Sequence, residues 1–102
     1  MTQPWRGIFS ILITPFTETL ELDEVGLRRQ VDFCLDAGAA GVVGPANASE
    51  WATLSDDERR RWIRIVVEQT AGRIPVVAAV TSGHARAAAE LARYAEQVGA
   101  DA

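Results

Sequence analysis

Short apolar runs rich in β-branched residues alternate along this chain with longer stretches of helical periodicity. The first run, Gly7-Ile8-Phe9-Ser10-Ile11-Leu12-Ile13, predicts a strand over about 7–13, stopped by Pro15, which has no N–H for a ladder. Residues 16–22 form a polar connection. Asp23 is placed to cap a helix over about 23–37, whose apolar side chains are Leu27, Val31, Phe33, Cys34 and Leu35. Gly38 stands where a helix C-terminus takes a left-handed residue. A second strand is predicted at 41–44, Gly-Val-Val-Gly, followed by a loop from Pro45 to Leu54. Ser55-Asp56-Asp57-Glu58 has the spacing of a capping box and opens a helix over about 55–71, with Trp62, Ile63, Val66 and Val67 at helical spacing. Pro75 to Val80 predicts the third strand, over about 75–80. An alanine-rich helix follows over about 84–98, and Gly99-Ala100-Asp101-Ala102 reads as the approach to a fourth strand.

Three successive βα units with nearly all-apolar strands predict a parallel sheet covered by helices. An open doubly wound sheet and a (β/α)8 TIM barrel both satisfy this pattern. A closed barrel takes about 250 residues, and the sequence has 102. The expected fold is therefore α/β, the first three βα units of a TIM barrel truncated before strand 4. Its two outer strands are expected to leave backbone groups unpaired, an arrangement that folded proteins avoid.

Composition narrows the functional classes. The chain is 48% hydrophobic and 24% charged with a net charge of -4, a globular balance without a basic surface for nucleic acid. The cluster Arg59-Arg60-Arg61 reads as a solvated helical face. All ten basic residues are arginine; lysine is absent. The single cysteine, Cys34, excludes an internal disulfide, suits a reducing compartment and reads as a small buried hydrophobe. The apolar run 8–13 is too short for a signal or a membrane span, so a cytoplasmic protein without membrane or nucleic-acid partners is expected.

In either architecture, function gathers at the C-terminal ends of the strands. Three segments qualify here: Thr14-Pro15-Phe16, Pro45 to Leu54, and Thr81 to Ala85. Neither a dinucleotide fingerprint nor a P-loop is present. The second segment is the most unusual, because it packs Asn47, Ser49 and Glu50 closely together. Their polar groups either converge on a small ligand or hold the loop through local side-chain-to-backbone bonds. His84, the only histidine, reads as an exposed helix-start residue with nothing near it in sequence to orient it. One His and one Cys without clustered carboxylates give no metal-ligand set.

These segments together resemble the dihydrodipicolinate synthase / N-acetylneuraminate lyase family. Ile13-Thr14-Pro15-Phe16 resembles the end of that family's first strand, Val-Thr-Pro-Phe. Residues 46–59 resemble its Gly-Thr-Thr-Gly-Glu-Ser-x-Thr-Leu-Ser-x-x-Glu-Arg block. Gly72-Arg73-Ile74-Pro75-Val76-Val77-Ala78 resembles Gly-Arg-x-Pro-Val-Ile-Ala, and Gly99-Ala100-Asp101-Ala102 resembles the approach to strand four. The likeness runs without gaps over almost the whole chain.

The resemblance implies a class I aldolase or lyase that binds pyruvate or a related 2-oxo acid, or an aldehyde, and needs no cofactor or metal. A lysine on the sixth strand would form a Schiff base with the keto carbon, and a tyrosine on a later strand would relay protons. The parent is expected to be a homo-oligomer, a dimer or tetramer. Lacking lysine, this chain is expected to be inactive by itself. The family's threonine pair, which contacts the substrate carboxylate and the proton relay, becomes Asn47 and Ala48. Ala46 and Ser49 replace the flanking glycines, Glu50 is retained, and Trp51 stands where a small residue is usual. Asn47, Ala48 and Ser49 are thereby expected to bind substrate, with Thr14 and Glu50 supporting them. An activity other than dihydrodipicolinate synthase is expected. The alternatives are a non-catalytic binding or regulatory paralogue, and a doubly wound ligand-binding domain.

Overall fold

The computed structural model describes residues 4–102. Three βα units follow one another: β1 (Phe9–Ile11), α1 (Glu24–Asp36), β2 (Gly41–Gly44), α2 (Asp56–Thr70), β3 (Val76–Ala78) and α3 (Ala85–Val98). Local chemistry sets the helix ends. The Asp23 carboxylate accepts from the Gly26 amide, and Ser55 and Glu58 exchange side-chain and backbone bonds in a full capping box. Left-handed residues close the helices at Gly38, Ala71 and Gly99. β2 spans its expected run, whereas β1 and β3 are shorter than theirs. Ladder bonds continue a residue or so past each end, as in Leu12 N–H to the Val43 carbonyl and Ala79 N–H to the Gly44 carbonyl. Beyond that the chain bends away into the connecting loops.

The sheet is parallel, in the order β1-β2-β3. Its two faces differ sharply. Ser10, Val42 and Val76 share one row, and Ile11, Val43 and Val77 share a row on the opposite face. Leu12, Val42 and Val76 are buried against the helices. Ile11 and Ile13 remain 52% and 58% exposed. α1 packs on α2 and α2 on α3, so the helices line up along a single face. Strand order does not reverse among these units, which is the winding both of a barrel wall and of one half of a doubly wound sheet.

The outer edge of β3 is less open than the sequence leads one to expect. Asp101 N–H donates to the Val76 carbonyl, Ala78 N–H donates to the Ala102 carbonyl, and the Asp101 carboxylate accepts from Val76 N–H. Residues 101–102 thus already occupy the position of a neighbouring strand. The reading of Arg59-Arg60-Arg61 as a solvated face also needs correction. Arg59, Trp62, Ile63, Val66 and Thr70 form the buried stripe of α2 at helical spacing, so Arg59 is only 5% exposed. Arg60 is half-buried over the Tyr94 ring, 5.7 Å from its centroid. Only Arg61 lies exposed, paired with Glu24 at 3.0 Å.

Trp62 is the largest fully buried side chain, and its ring lies directly over Gly44. A Cβ built on Gly44 would stand 2.2 Å from the ring, and the backbone there has φ 156°. Both facts demand glycine. On the outer surface, Arg28 bridges Glu24 and Glu68 at 2.9 Å each, while Gln69 donates to Asp32 at 2.7 Å. This network clamps α1 to α2.

Two predictions follow from this packing. Gly44→Ala is expected to destabilise the protein by about 2–4 kcal/mol, through overpacking plus backbone strain. Gly38→Ala, at φ 82° with open space around it, should lose only about 1 kcal/mol. Denaturant midpoints of the two variants check the ordering, and equal losses would refute the role given to Trp62.

The second prediction concerns acid. Hydrogen bonds from Arg28 and Arg61 hold the Glu24 carboxyl below its ordinary pKa, and the bond from Arg28 does the same for Glu68. A depressed folded-state pKa contributes stability that is fully present above the unfolded value, 4.5, and is lost as pH falls through the folded value. The urea midpoint should therefore drop below pH 4.5, and Glu24→Gln should flatten that drop. Both groups are exposed, so the slope should also shrink with added salt.

Candidate functional site

The loop after β2 is anchored from beneath. Thr14, just past the end of β1, is 5% exposed, and Ser49 is fully buried. The indole N–H of Trp62 donates to Thr14 Oγ1 at 2.9 Å, and Thr14 Oγ1 donates to the Ser49 carbonyl. Ser49 Oγ donates to the Leu12 carbonyl and accepts from Ala46 N–H at 3.0 Å. Every hydroxyl proton in this knot has an acceptor, as buried polar groups require. The loop is thereby tied to β1 on one side and to α2 on the other.

Above this anchor the loop turns tightly. The N–H groups of Ser49, Glu50 and Trp51 donate to the carbonyls of Ala46 or Asn47. A short 3-10 turn, Trp51–Thr53, then leads to the cap of α2; a plain loop was expected there. Asn47 and Ala48 are both exposed at the loop's outer turn. Among the described residues, no acceptor meets the backbone N–H of Asn47, that of Ala48, or the Asn47 side-chain NH2. The Asn47 carbonyl Oδ1 accepts from the Trp51 indole N–H at 2.9 Å. Glu50 sits at φ 61°, and its backbone carbonyl accepts from Thr53 N–H and Oγ1, each at 2.9 Å. Glu50 borders a surface hollow with Phe16, Leu20 and Thr53.

Of the residues singled out in the sequence, the structure brings Thr14 and Ser49 into contact. It sets Asn47 and Ala48 above them at the loop's tip, and turns Glu50 toward the first connection. His84 is exposed at the N-cap of α3 and makes no side-chain capping bond. Cys34 is buried on α1. Two residues of the site escaped the sequence reading. Trp62 was legible only as core, although it supplies the donor for Thr14. Arg59 stacks on the Trp51 ring at 5.2 Å, and its Nη2 reaches the Ala79 carbonyl at 3.4 Å beyond β3. Its place at the head of the stripe 59-62-63-66 is the signal that would have found it. Burial lowers the pKa of Arg59, and the Asp56 charge works against that shift. Arginine remains cationic regardless.

A parallel α/β sheet wound in one direction, with a donor-rich loop anchored past its C-terminal end, is the arrangement of an α/β protein that binds ligands at the ends of its strands. The chain belongs to the dihydrodipicolinate synthetase family, whose model matches residues 4–102. It is 48% identical over 98 residues to the 4-hydroxy-tetrahydrodipicolinate synthase of Methanopyrus kandleri, matching 95% of this chain and 33% of that protein. It is 43% identical over 97 residues to the corresponding synthase of Nitratidesulfovibrio vulgaris. Among solved structures, dihydrodipicolinate synthase from Aquifex aeolicus superposes with a TM-score of 0.90 at 34% identity, covering 93% of this chain and 32% of that one. N-acetylneuraminate lyase from Mycoplasma synoviae superposes with a TM-score of 0.90 at 27% identity, covering 96% and 34%. The chain spans about a third of the length of the curated relatives it matches. Among the described residues, no helix is long and apolar enough to cross a membrane.

The anchor generates a stability prediction. Thr14→Val keeps the shape but leaves the Trp62 indole N–H and the Ser49 carbonyl without their partner. It is expected to destabilise the protein by about 2–3 kcal/mol, the cost of unsatisfied buried groups. Thr14→Ser should retain most of the stability. Urea unfolding of both variants checks this, and a neutral Thr14→Val would remove the anchor from the account.

Proposed function

We propose that this chain forms the first three βα units of a TIM-barrel aldolase or lyase that binds pyruvate or a related 2-oxo acid as a Schiff base. The lysine belongs to a strand outside this sequence, and so does the proton-relaying tyrosine. The imine would act as an electron sink, so that the bond next to it can form or break. The observation that carries the reading is the loop 46–50. It is fixed at the C-terminal end of β2, where barrels bind ligands, and it offers three donors without acceptors. Asn47 N–H, Ala48 N–H and the Asn47 amide NH2 suit the carboxylate of a 2-oxo acid.

Ser49 and Thr14 serve this site by holding the loop, since the hydroxyl proton of each is committed to a backbone carbonyl. Glu50 supports the turn into α2. The replacement of the family's paired threonines by Asn47 and Ala48 supports a second substrate other than that of dihydrodipicolinate synthase. The parent is read as a homo-oligomer working in the cytoplasm on small metabolites, without a metal or organic cofactor.

The test is borohydride reduction of the intact protein in the presence of pyruvate. We expect a pyruvate-sized mass adduct on one lysine outside this segment. The 102-residue chain, which has no lysine, should gain none. Asn47→Ala in the intact protein should weaken pyruvate binding by about 1–3 kcal/mol, and Asn47→Thr should be milder. An intact protein that binds pyruvate without a trapped adduct would be a binding paralogue, and the lyase reading would fail.

A further inference from the structure

Trp51 occupies a position with two contacts that do not serve the core. Its indole N–H meets Asn47 Oδ1 at 2.9 Å, and the Arg59 guanidinium lies over its ring, 5.2 Å from the centroid. Arg59 is in turn 5% exposed and reaches the Ala79 carbonyl at the end of β3. The ring is therefore held from behind by a buried cation that is itself moored to the sheet.

We infer that Trp51 is a positioning residue that fixes the orientation of the Asn47 side-chain amide, so that the loop recognises an anionic oxygen ligand. An indole N–H can only donate. It must face the amide's carbonyl oxygen, because the flipped amide would set two donors against each other. The Asn47 NH2 is thereby turned away from the ring, and among the described residues nothing accepts from it. Next to it in the chain stand the two backbone N–H groups of Asn47 and Ala48, also without acceptors. With Oδ1 turned to the indole, the outer turn at Asn47 and Ala48 presents the amide NH2 beside the two backbone N–H groups. Such a set favours a carboxylate over a neutral carbonyl or hydroxyl compound. An unrestrained asparagine would offer either end of its amide and discriminate less.

This inference rests on the 2-oxo acid reading above, and the experiment separates the two. Pyruvate dissociation constants are measured by calorimetry for the intact protein and its Trp51→Phe, Asn47→Ala and double variants. Phenylalanine keeps a ring for Arg59 and deletes only the N–H. We expect Trp51→Phe to weaken pyruvate binding about fivefold to tenfold, within the range of one lost hydrogen bond. In the Asn47→Ala background the same substitution should have no further effect, because Trp51 acts through Asn47. A purely structural role would instead weaken binding in both backgrounds. Asn47→Asp provides a second check. It keeps an acceptor for the indole but replaces the donor face with a charged oxygen, so pyruvate binding should fall by more than about tenfold. Independent, multiplicative effects of the two substitutions, or wild-type binding by Trp51→Phe or Asn47→Asp, would overturn the inference. If those results occur while the wild-type protein still yields the trapped adduct, the lyase reading stands and only the role of Trp51 falls. If the wild-type protein neither binds nor traps pyruvate, both fall.

Discussion

The indole of Trp62 sits where three parts of the chain must agree. Its ring takes the space left by the missing side chain of Gly44, and its N–H needs an acceptor because the ring is wholly buried. Thr14 supplies that acceptor from the end of β1 and passes its own proton to the Ser49 carbonyl. One side chain on α2 thus registers β1, β2 and the loop beyond β2 against one another. A larger residue at 44 would push the helix off the sheet. An apolar residue at 14 would strand two polar groups where water cannot reach them. The loop owes its shape to this constraint more than to any propensity of its own.

That division of labour decides what is left for a ligand. The polar groups of the anchor are used up: Thr14, the Ser49 hydroxyl and the Ala46 N–H all close on one another or on backbone. Above it, the N–H groups of Asn47 and Ala48 and the Asn47 NH2 are spare donors, while the exposed Glu50 side chain lies on the side of the first connection. The contrast is physical. A loop that has satisfied its buried polar groups internally can present the remaining N–H groups without cost to stability, because they stay hydrated until a ligand replaces the water. The apolar row Ile11, Val43 and Val77 on the uncovered face lies at the same end of the argument. It is shaped for the interior of a closed sheet, and the proposed site stands at the rim of that interior.

Much of the fold was legible because its signals are local. The capping box at Ser55 and Glu58, the Asp23 cap and the closing Gly38 each act within one turn of chain, and each is found at its expected place. The second strand has its expected bounds, but β1 and β3 were overdrawn, since apolar composition marks burial and not the extent of a ladder. Arg59 was misjudged because three adjacent arginines look like a solvated run. Helical geometry separates neighbours by about 100°, so the three side chains meet a ring under the loop, a tyrosine and a glutamate respectively. The contact between Trp62 and Thr14 spans 48 positions, and nothing in either segment announces the other. The Trp51–Asn47 bond spans only four, yet the loop is not a continuous helix, so spacing alone did not predict it. The polar density of residues 47–50 was visible. Which of those groups point inward as ties and which remain spare depends on Trp62, and so on tertiary structure.

The exchange of hydroxyl for amide at this loop bears on chemistry as well as on binding. A threonine hydroxyl can accept one proton while giving up another, so a pair of them can sit within a proton relay. A carboxamide cannot do this near neutral pH; its N–H groups bind and orient but do not pass protons on. Under the lyase reading, with Asn47 at one position and Ala48 at the next, the loop would keep a grip on the carboxylate and give up any hydroxyl link to a relay. The one hydroxyl close by, on Ser49, is locked against the Leu12 carbonyl. Under the lyase reading, proton movement at the imine must then run through bound water or through groups contributed by later strands. The loop's part would be reduced to holding the acid in place, with Trp51 and Arg59 taking over the rigidity that a compact threonine pair would have supplied by itself.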